Sequence, residues 1–197
     1  NNIICCEEKE IFVHQNIYDQ FLRSLKQLPV IILAEHQTDK LMKRVFTDGH
    51  PDKRFIGKNA SVLLAEIGVQ AGDEIRLIIS EVDEDHPLVH TEQLMPFLPL
   101  VKVRSTEAGI AQAYQAENGR FHSAYMHSQN ISHLHAMARK MNTAIFVKNA
   151  PSLAGLGYET GMYTSFTIAG CTGEGLTTAR TFTRERLCVL KGYFHIV

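Results

Sequence analysis

From Leu98 to Lys148 the chain alternates short apolar runs with amphipathic ones, and no other feature of the sequence narrows the fold as much. Leu98 to Val103 (LPLVKV) reads as a strand. Ser105 then caps a predicted helix reaching about Ala116, which Asn118-Gly119 ends. Ala124 to His127 follows as a short strand. Ile131 to Met141 is a predicted helix with Ile131, Leu134, Met137 and Ala138 on one face, and Thr143 to Lys148 (TAIFVK) is another strand. This rhythm predicts an α/β fold, a largely parallel sheet flanked by helices and joined by right-handed crossovers. The earlier residues suit the same architecture. Glu10 to His14 and Ile75 to Val82 read as strands, and Ile17 to Leu28 as a helix. Gln37 to Val45 reads as a helix with Thr38 as its N-cap. Ser61 to Ile67 reads as another, capped by Asn59 and stopped at Gly68. Beyond Pro151 the character changes, since six of the 13 glycines fall between Gly155 and Gly175. That region reads as loop with one strand, Tyr163 to Ala169. Thr181 to Leu190 alternates enough to be a long strand, expected as a C-terminal edge strand.

At 197 residues the length suits one domain with a sizeable core. Lys plus Arg total 20 against 21 for Asp plus Glu, so no basic excess exists to hold a phosphate backbone, and nucleic acid is excluded as an expected partner. The longest unbroken apolar run, Val30 to Ala34, is far short of the ~20 residues that cross a bilayer, so no membrane partner is expected. Residues 1–10 carry no basic segment followed by an apolar one, so no signal peptide is read there, and a reducing cytoplasm is the expected location. Cysteines at 5, 6, 171 and 188 form neither a disulfide framework nor a CxxC zinc pattern. Cys171 and Cys188 read as small buried hydrophobes.

A cysteine beside polar backbone at a strand entry is a candidate nucleophile, and Asn1-Asn2-Ile3-Ile4-Cys5-Cys6 supplies one. Two buried thiols would satisfy the same spacing. The chain has ten histidines, yet their spacing predicts no metal site: His133 and His135 sit i, i+2 on a helix and face apart, and Pro87 lies between His86 and His90. His122, just ahead of a strand and after the Gly119 turn, is better placed at a strand end facing a cleft. Gly155-Leu156-Gly157 and Gly173-Glu174-Gly175 match no phosphate-binding loop and read as backbone turns. Arg180, Arg184 and Arg186 read as the solvated side of the last strand. Residues 94–99 (LMPFLP) read as a rigid apolar turn, with pocket lining as the alternative.

Five segments, in order over the whole chain, resemble the catalytic domain of the CoA-acylating aldehyde dehydrogenases of bacterial microcompartments. They are NNIICCEEKE (1–10), TEQLMPFLPLVKV (91–103), HSAYMHSQN (122–130), IFVKNAPSLAGLG (145–157) and TGEGLTTARTF (172–182). The resemblance implies that Cys5, which matches the family's NNLPC cysteine, is the nucleophile; Ile4 stands where that motif has proline, and Cys6 where it is usually apolar. Residues 92–96 (EQLMP) match the glutamate and proline of the superfamily's ExFGP motif, which implies that Glu92 contacts the nicotinamide ribose of NAD and Leu94 walls the pocket. Phe121-His122-Ser123-Ala124 matches an HHTA-like stretch, which implies that His122 assists as acid/base or activates the coenzyme A thiol. The departure at residues 158–161 (YETG) from a more glycine-rich run implies a different loop shape. The implied reaction oxidises a short-chain aldehyde with NAD and CoA to acyl-CoA and NADH, through a cysteine thiohemiacetal and an acyl-cysteine. A hydrolytic aldehyde dehydrogenase and a non-catalytic scaffold of the same fold are the alternatives. The implied partners are a small aldehyde, a dinucleotide-binding domain N-terminal to Asn1, further copies of the chain in a homo-oligomer and a microcompartment shell. The chain alone is then expected to be inactive, one catalytic domain (residues 1–197) of a longer polypeptide.

Overall fold

The computed structural model describes residues 1–168 and 176–192. Its main sheet has four strands: β1 (Ile11–His14), β2 (Val30–Leu33), β5 (Leu77–Glu81) and β6 (Phe97–Val103). They run in the order β1-β6-β5-β2, and every neighbouring pair is parallel. Successive residues of β5 show why both faces are covered. Ile78 packs with Leu41, Leu63, Leu64 and Leu88 on one side, against α2 (Glu35–Val45) and α3 (Ala60–Ala65). Ile79 packs with Val13, Tyr18 and Leu25 on the other, against α1 (Gln15–Leu25). A strand buried on both faces reads as a continuous apolar run, and residues 77–79 (LII) form one. Each of these fully buried aliphatic side chains contributes about 2 kcal/mol.

A second parallel pair, β7 (Ser123–Met126) and β8 (Ile145–Lys148), is joined through α6 (Ile131–Met141). Met137 and Met141 of α6 cover Ala124 of β7, together with Ile110 and Tyr114 of α5 (Thr106–Glu117). The Ser105 hydroxyl accepts the Ala108 N–H, and Asn118 closes α5 in the left-handed conformation. Both ends of this helix are those expected from the sequence. A single-turn helix α4 (Pro87–His90) starts on His86, whose ring accepts the Leu88 N–H, with Pro87 at the first helical position.

Four expectations are corrected. Thr38 does not cap α2. The helix starts at Glu35, with Ala34 as N-cap, and Thr38 is buried with its hydroxyl 2.7 Å from that of Ser80. Tyr163 to Ala169 is not a strand over its described part. Only Ile168 pairs, in one antiparallel bridge to Leu176, and Ala169 lies outside the described residues. The C-terminal edge strand is absent among the described residues: a single 3-10 turn, Ala179–Phe182, is followed by irregular backbone. Alternation supplies two faces, but a strand exists only with a ladder partner, and no described strand lies beside this stretch. Cys188 there is exposed, not buried, and Cys171 lies outside the described residues. Several elements were not anticipated: β2, α4, the 3-10 turn Ser152–Leu156 and a hairpin of β3 (Phe46–Thr47) and β4 (His50–Pro51) around Asp48-Gly49, both at positive φ. Among the described residues, no helix is long and apolar enough to cross a membrane.

Candidate active site

The two adjacent cysteines occupy the middle of a turn. The Glu7 N–H donates to the Ile4 carbonyl (3.0 Å), and the Ile4 N–H donates to the Glu7 carboxylate (3.0 Å). Such a turn sends its two central side chains apart. Cys5 is exposed and Cys6 is fully buried among Ile145, Val147 and Leu156. Burial, with the negative charge of its neighbour Cys5 second, pushes the Cys6 thiol up to about 11. A thiol so placed stays protonated and has no access to a carbonyl.

The turn is pinned from several elements. The Tyr125 hydroxyl of β7 donates to the Cys6 carbonyl. Burial raises the pKa of that phenol, which keeps it a donor. The Glu8 carboxylate accepts from both the N–H (3.0 Å) and the hydroxyl (2.7 Å) of Ser152. Lys9 donates to the Asn2 carbonyl (2.8 Å) and side-chain oxygen (3.1 Å), while the Asn2 amide donates to the Met95 carbonyl (3.3 Å). Asn1 donates to the Gly57 carbonyl (2.8 Å) and to Asn59 (2.9 Å), and Asn59, although it stands at the N-cap of α3, makes no side-chain capping bond. Asn2 itself takes a left-handed φ of 57°, a conformation that asparagine tolerates better than most residues. A hollow of about 190 Å³ lies against the flanks of this segment, lined by Asn1, Asn2, Glu7, Glu8, Pro96 and Leu98 among others; Cys5 and His122 do not line it.

Glu92 and Leu94 lie on the loop that leads into β6. Glu92 is exposed, and its carboxylate makes no hydrogen bond to a described residue, so it is free to accept from ligand hydroxyls. Leu94 is half-buried at φ 54°, with its carbonyl accepting the Gly57 N–H (2.9 Å). An exposed unpaired carboxylate beside a half-buried aliphatic side chain fits a ribose edge and a ring face. His122 is half-buried just before β7. Its N–H donates to the Glu117 carboxylate (3.0 Å), and its Nδ1 is 3.0 Å from the Ser123 hydroxyl. Burial lowers its pKa, against the pull of Glu92 and Glu117.

These segments converge. Lys9 feels the charges of Glu92 and Cys5, although burial dominates and lowers its pKa; His122 feels Glu92. Tyr125, three positions after His122, holds the cysteine turn, and Asn2 holds the residue three positions after Glu92. The cluster gathers at the amino ends of β1 and β7, opposite to the carboxyl ends at which open α/β sheets usually bind ligands.

Sequence reasoning missed Glu10. It is largely buried beside the site, and burial pushes its carboxyl up to about 7. Lys9 and Arg120 oppose this, and Glu92 and Glu117 add to it. Its only sequence signal was a carboxylate directly before an apolar strand. Glu8 and Tyr125, which clamp the turn, had none, since their partners are 144 and 119 positions away. The glycines at 155 and 157 serve packing and turning. A Cβ on Gly155 would meet Ile145 and Val147, and Gly157 has φ 91°. Gly173 and Gly175 lie outside the described residues. Among the described residues, no three His, Cys, Asp or Glu side chains gather as metal ligands.

No protein-family model matches the chain. Over 99% of its length it is 41% identical to the propanal dehydrogenase (CoA-propanoylating) of Salmonella typhimurium, of which it covers 42%. It superposes with a TM-score of 0.91 and 41% identity on Rhodopseudomonas palustris propionaldehyde dehydrogenase, solved with bound CoA and an acylated cysteine, across 96% of this chain and 44% of that one. A propionaldehyde dehydrogenase from the fucose utilisation bacterial microcompartment of Clostridium phytofermentans gives 0.91 at 38% identity, with the same coverage. Along nearly its whole length the chain is homologous to part of the CoA-acylating aldehyde dehydrogenases. Its relatives at this level are named for propanal and acetaldehyde, and the chain spans less than half the length of the curated relatives it matches.

Proposed function

We propose that this chain is the nucleophile-bearing part of an enzyme that converts a short-chain aldehyde, NAD and CoA to acyl-CoA and NADH. One observation carries the reading: of two adjacent thiols, Cys5 stands exposed on a turn clamped from three directions, while Cys6 is sealed in the core. In the Clostridium phytofermentans enzyme a cysteine and a histidine 118 positions apart have each been replaced by alanine; Cys5 and His122 are 117 apart. That spacing supports the pairing of these two residues.

The Cys5 sulfur adds to the aldehyde carbon and forms a thiohemiacetal. Loss of the hydroxyl proton to solvent and of a hydride from the same carbon leaves an acyl-cysteine, and NAD would supply the hydride acceptor. Glu92 holds the ribose hydroxyls and Leu94 walls the ring. His122 takes up the proton of the incoming thiol, and Cys5 then leaves as thiolate, a good leaving group in thioester exchange. The rest of the enzyme supplies a dinucleotide-binding domain, and the assembled protein is a homo-oligomer. A place within a bacterial microcompartment, beside its shell, is supported by the origin of the Clostridium phytofermentans relative.

Mass spectrometry of the full-length protein after aldehyde and NAD without CoA tests this. The expected result is an acyl mass on the peptide bearing Cys5 and Cys6, removed by CoA. Removal by water at the same rate would establish a hydrolytic enzyme, and no adduct at all would favour a scaffold.

A further inference from the structure

The loop that delivers His122 is held by backbone hydrogen bonds at Phe121 and His122. After Glu117, the last residue of α5, the chain passes through Asn118 (φ 55°), Gly119 (φ 74°) and Phe121 (φ 53°). Three left-handed residues in four would not hold without anchors. The anchors are the Glu117 carboxylate on the His122 N–H, the Ala144 N–H on the Phe121 carbonyl and the Ile145 N–H on the His122 carbonyl. The ring has a fixed partner of its own, the Ser123 hydroxyl at Nδ1 (3.0 Å). Ser123 and Tyr125 are two apart on β7 and so share a face, the one from which Tyr125 grips the cysteine turn. Ser123 thus joins the histidine to the side of the strand that faces the cysteine turn.

A neutral imidazole has one bare nitrogen, and the hydrogen bond at the other decides which. We propose that Ser123 is a positioning residue for His122: its hydroxyl accepts Nδ1–H, which keeps Nε2 bare and presents Nε2 to the proton of the incoming thiol. This rests on the acyl-transfer reading above. In that step the thiol S–H bond breaks and its proton goes to Nε2. The sulfur electron pair forms the new C–S bond, and the bond from the acyl carbon to Cys5 breaks with its pair remaining on Cys5. The imidazolium so formed faces the carboxylates of Glu92, from the loop before β6, and Glu117, from the end of α5, with Glu10 and Arg120 next in that cluster. The second Glu117 oxygen is buried with no hydrogen-bond partner among the described residues.

The test separates the two chemical phases in the full-length protein. The first is NADH formed on mixing with aldehyde and NAD alone. The second is decay of the acyl-enzyme on addition of saturating CoA, followed by rapid quench and mass. Ser123→Ala is expected to leave the first rate within twofold and to slow the second about tenfold, the size of one lost orienting hydrogen bond. Ser123→Thr, which keeps a hydroxyl, is expected to restore it. Nitrogen spectra of ¹⁵N-histidine-labelled protein, with His122→Gln assigning the resonance, should show Nδ1–H in the parent and in Ser123→Thr, and a mixture in Ser123→Ala. An unchanged second phase in Ser123→Ala, equal slowing of both phases, failure of threonine to rescue, or an Nε2–H tautomer in the parent would each overturn the proposal. Absence of any acyl-enzyme in the parent would defeat the acyl-transfer reading instead, and the tautomer spectra would still decide the role of Ser123.

Discussion

Residues 1–9 and residues 183–192 are both irregular backbone, but they differ in what holds them. The first stretch is tied by Tyr125, Ser152, Gly57, Asn59 and the Met95 carbonyl, and it buries Asn2 and Cys6. The second has no described strand beside it, and Leu187 (91% exposed), Val189 (75%) and Leu190 (52%) face outward. Irregular chain becomes determinate where side-chain hydrogen bonds and a buried anchor over-determine it. Apolar residues without a neighbouring element cannot do the same.

The comparison can be broken or sharpened by substitution in the full-length protein. The largest effect is expected at the exposed thiol. Cys5→Ala should lower CoA-dependent NADH formation by on the order of 10³-fold or more, as loss of a covalent nucleophile does elsewhere, with stability within about 0.5 kcal/mol of the parent; an active variant would mean that Cys5 is not the nucleophile. Cys6→Ser should do the reverse. A hydroxyl placed among Ile145, Val147 and Leu156 should cost about 1–3 kcal/mol in denaturant unfolding, with acylation retained.

Glu10 should reveal itself by pH. Its native pKa of about 7 lies above the ordinary carboxylate value, so between those two values the native state holds a proton that the unfolded chain has lost. Its contribution to stability therefore falls as pH rises through this window and levels off above about 7. Glu10→Gln should raise stability at pH 8 by about 2 kcal/mol and change it little at pH 4; melting curves at the two values decide it. Tyr125→Phe removes one clamp and should cost about 1 kcal/mol, with a measurable slowing of acylation, while stability equal to the parent would show that the clamp is idle. The smallest effect is expected in the unpartnered stretch. Leu187→Asp should leave stability within about 0.5 kcal/mol, and a change in sedimentation instead would show that this stretch meets another copy.

What was legible in the sequence follows the range of the forces involved. Helices α1, α5 and α6 announced themselves because their periodicity and caps are local; Ser105 and Asn118 act as expected. Strand β2 was missed because four apolar residues show no period. The β3–β4 hairpin was missed although Asp48-Gly49 is a recognisable turn pair. Around the candidate site, Cys5, Glu92, Leu94 and His122 were named from motifs, and the structure brings their segments together. Glu10, Glu117 and Ser123 were not named, since their importance comes from burial and from partners brought in by the fold. The expected last strand failed for the converse reason: alternation can be read locally, but a ladder partner cannot.

The clamps on the cysteine turn have a consequence for biosynthesis. The contacts from Met95, Tyr125 and Ser152 reach residues 2, 6 and 8 across 93, 119 and 144 positions. A chain emerging from the ribosome therefore cannot complete the clamps on the cysteine turn until residue 152 has been made, and closing such long loops is slow. Throughout that interval Cys6 lacks the neighbours Ile145, Val147 and Leu156 that bury it and is as open to oxidants as Cys5.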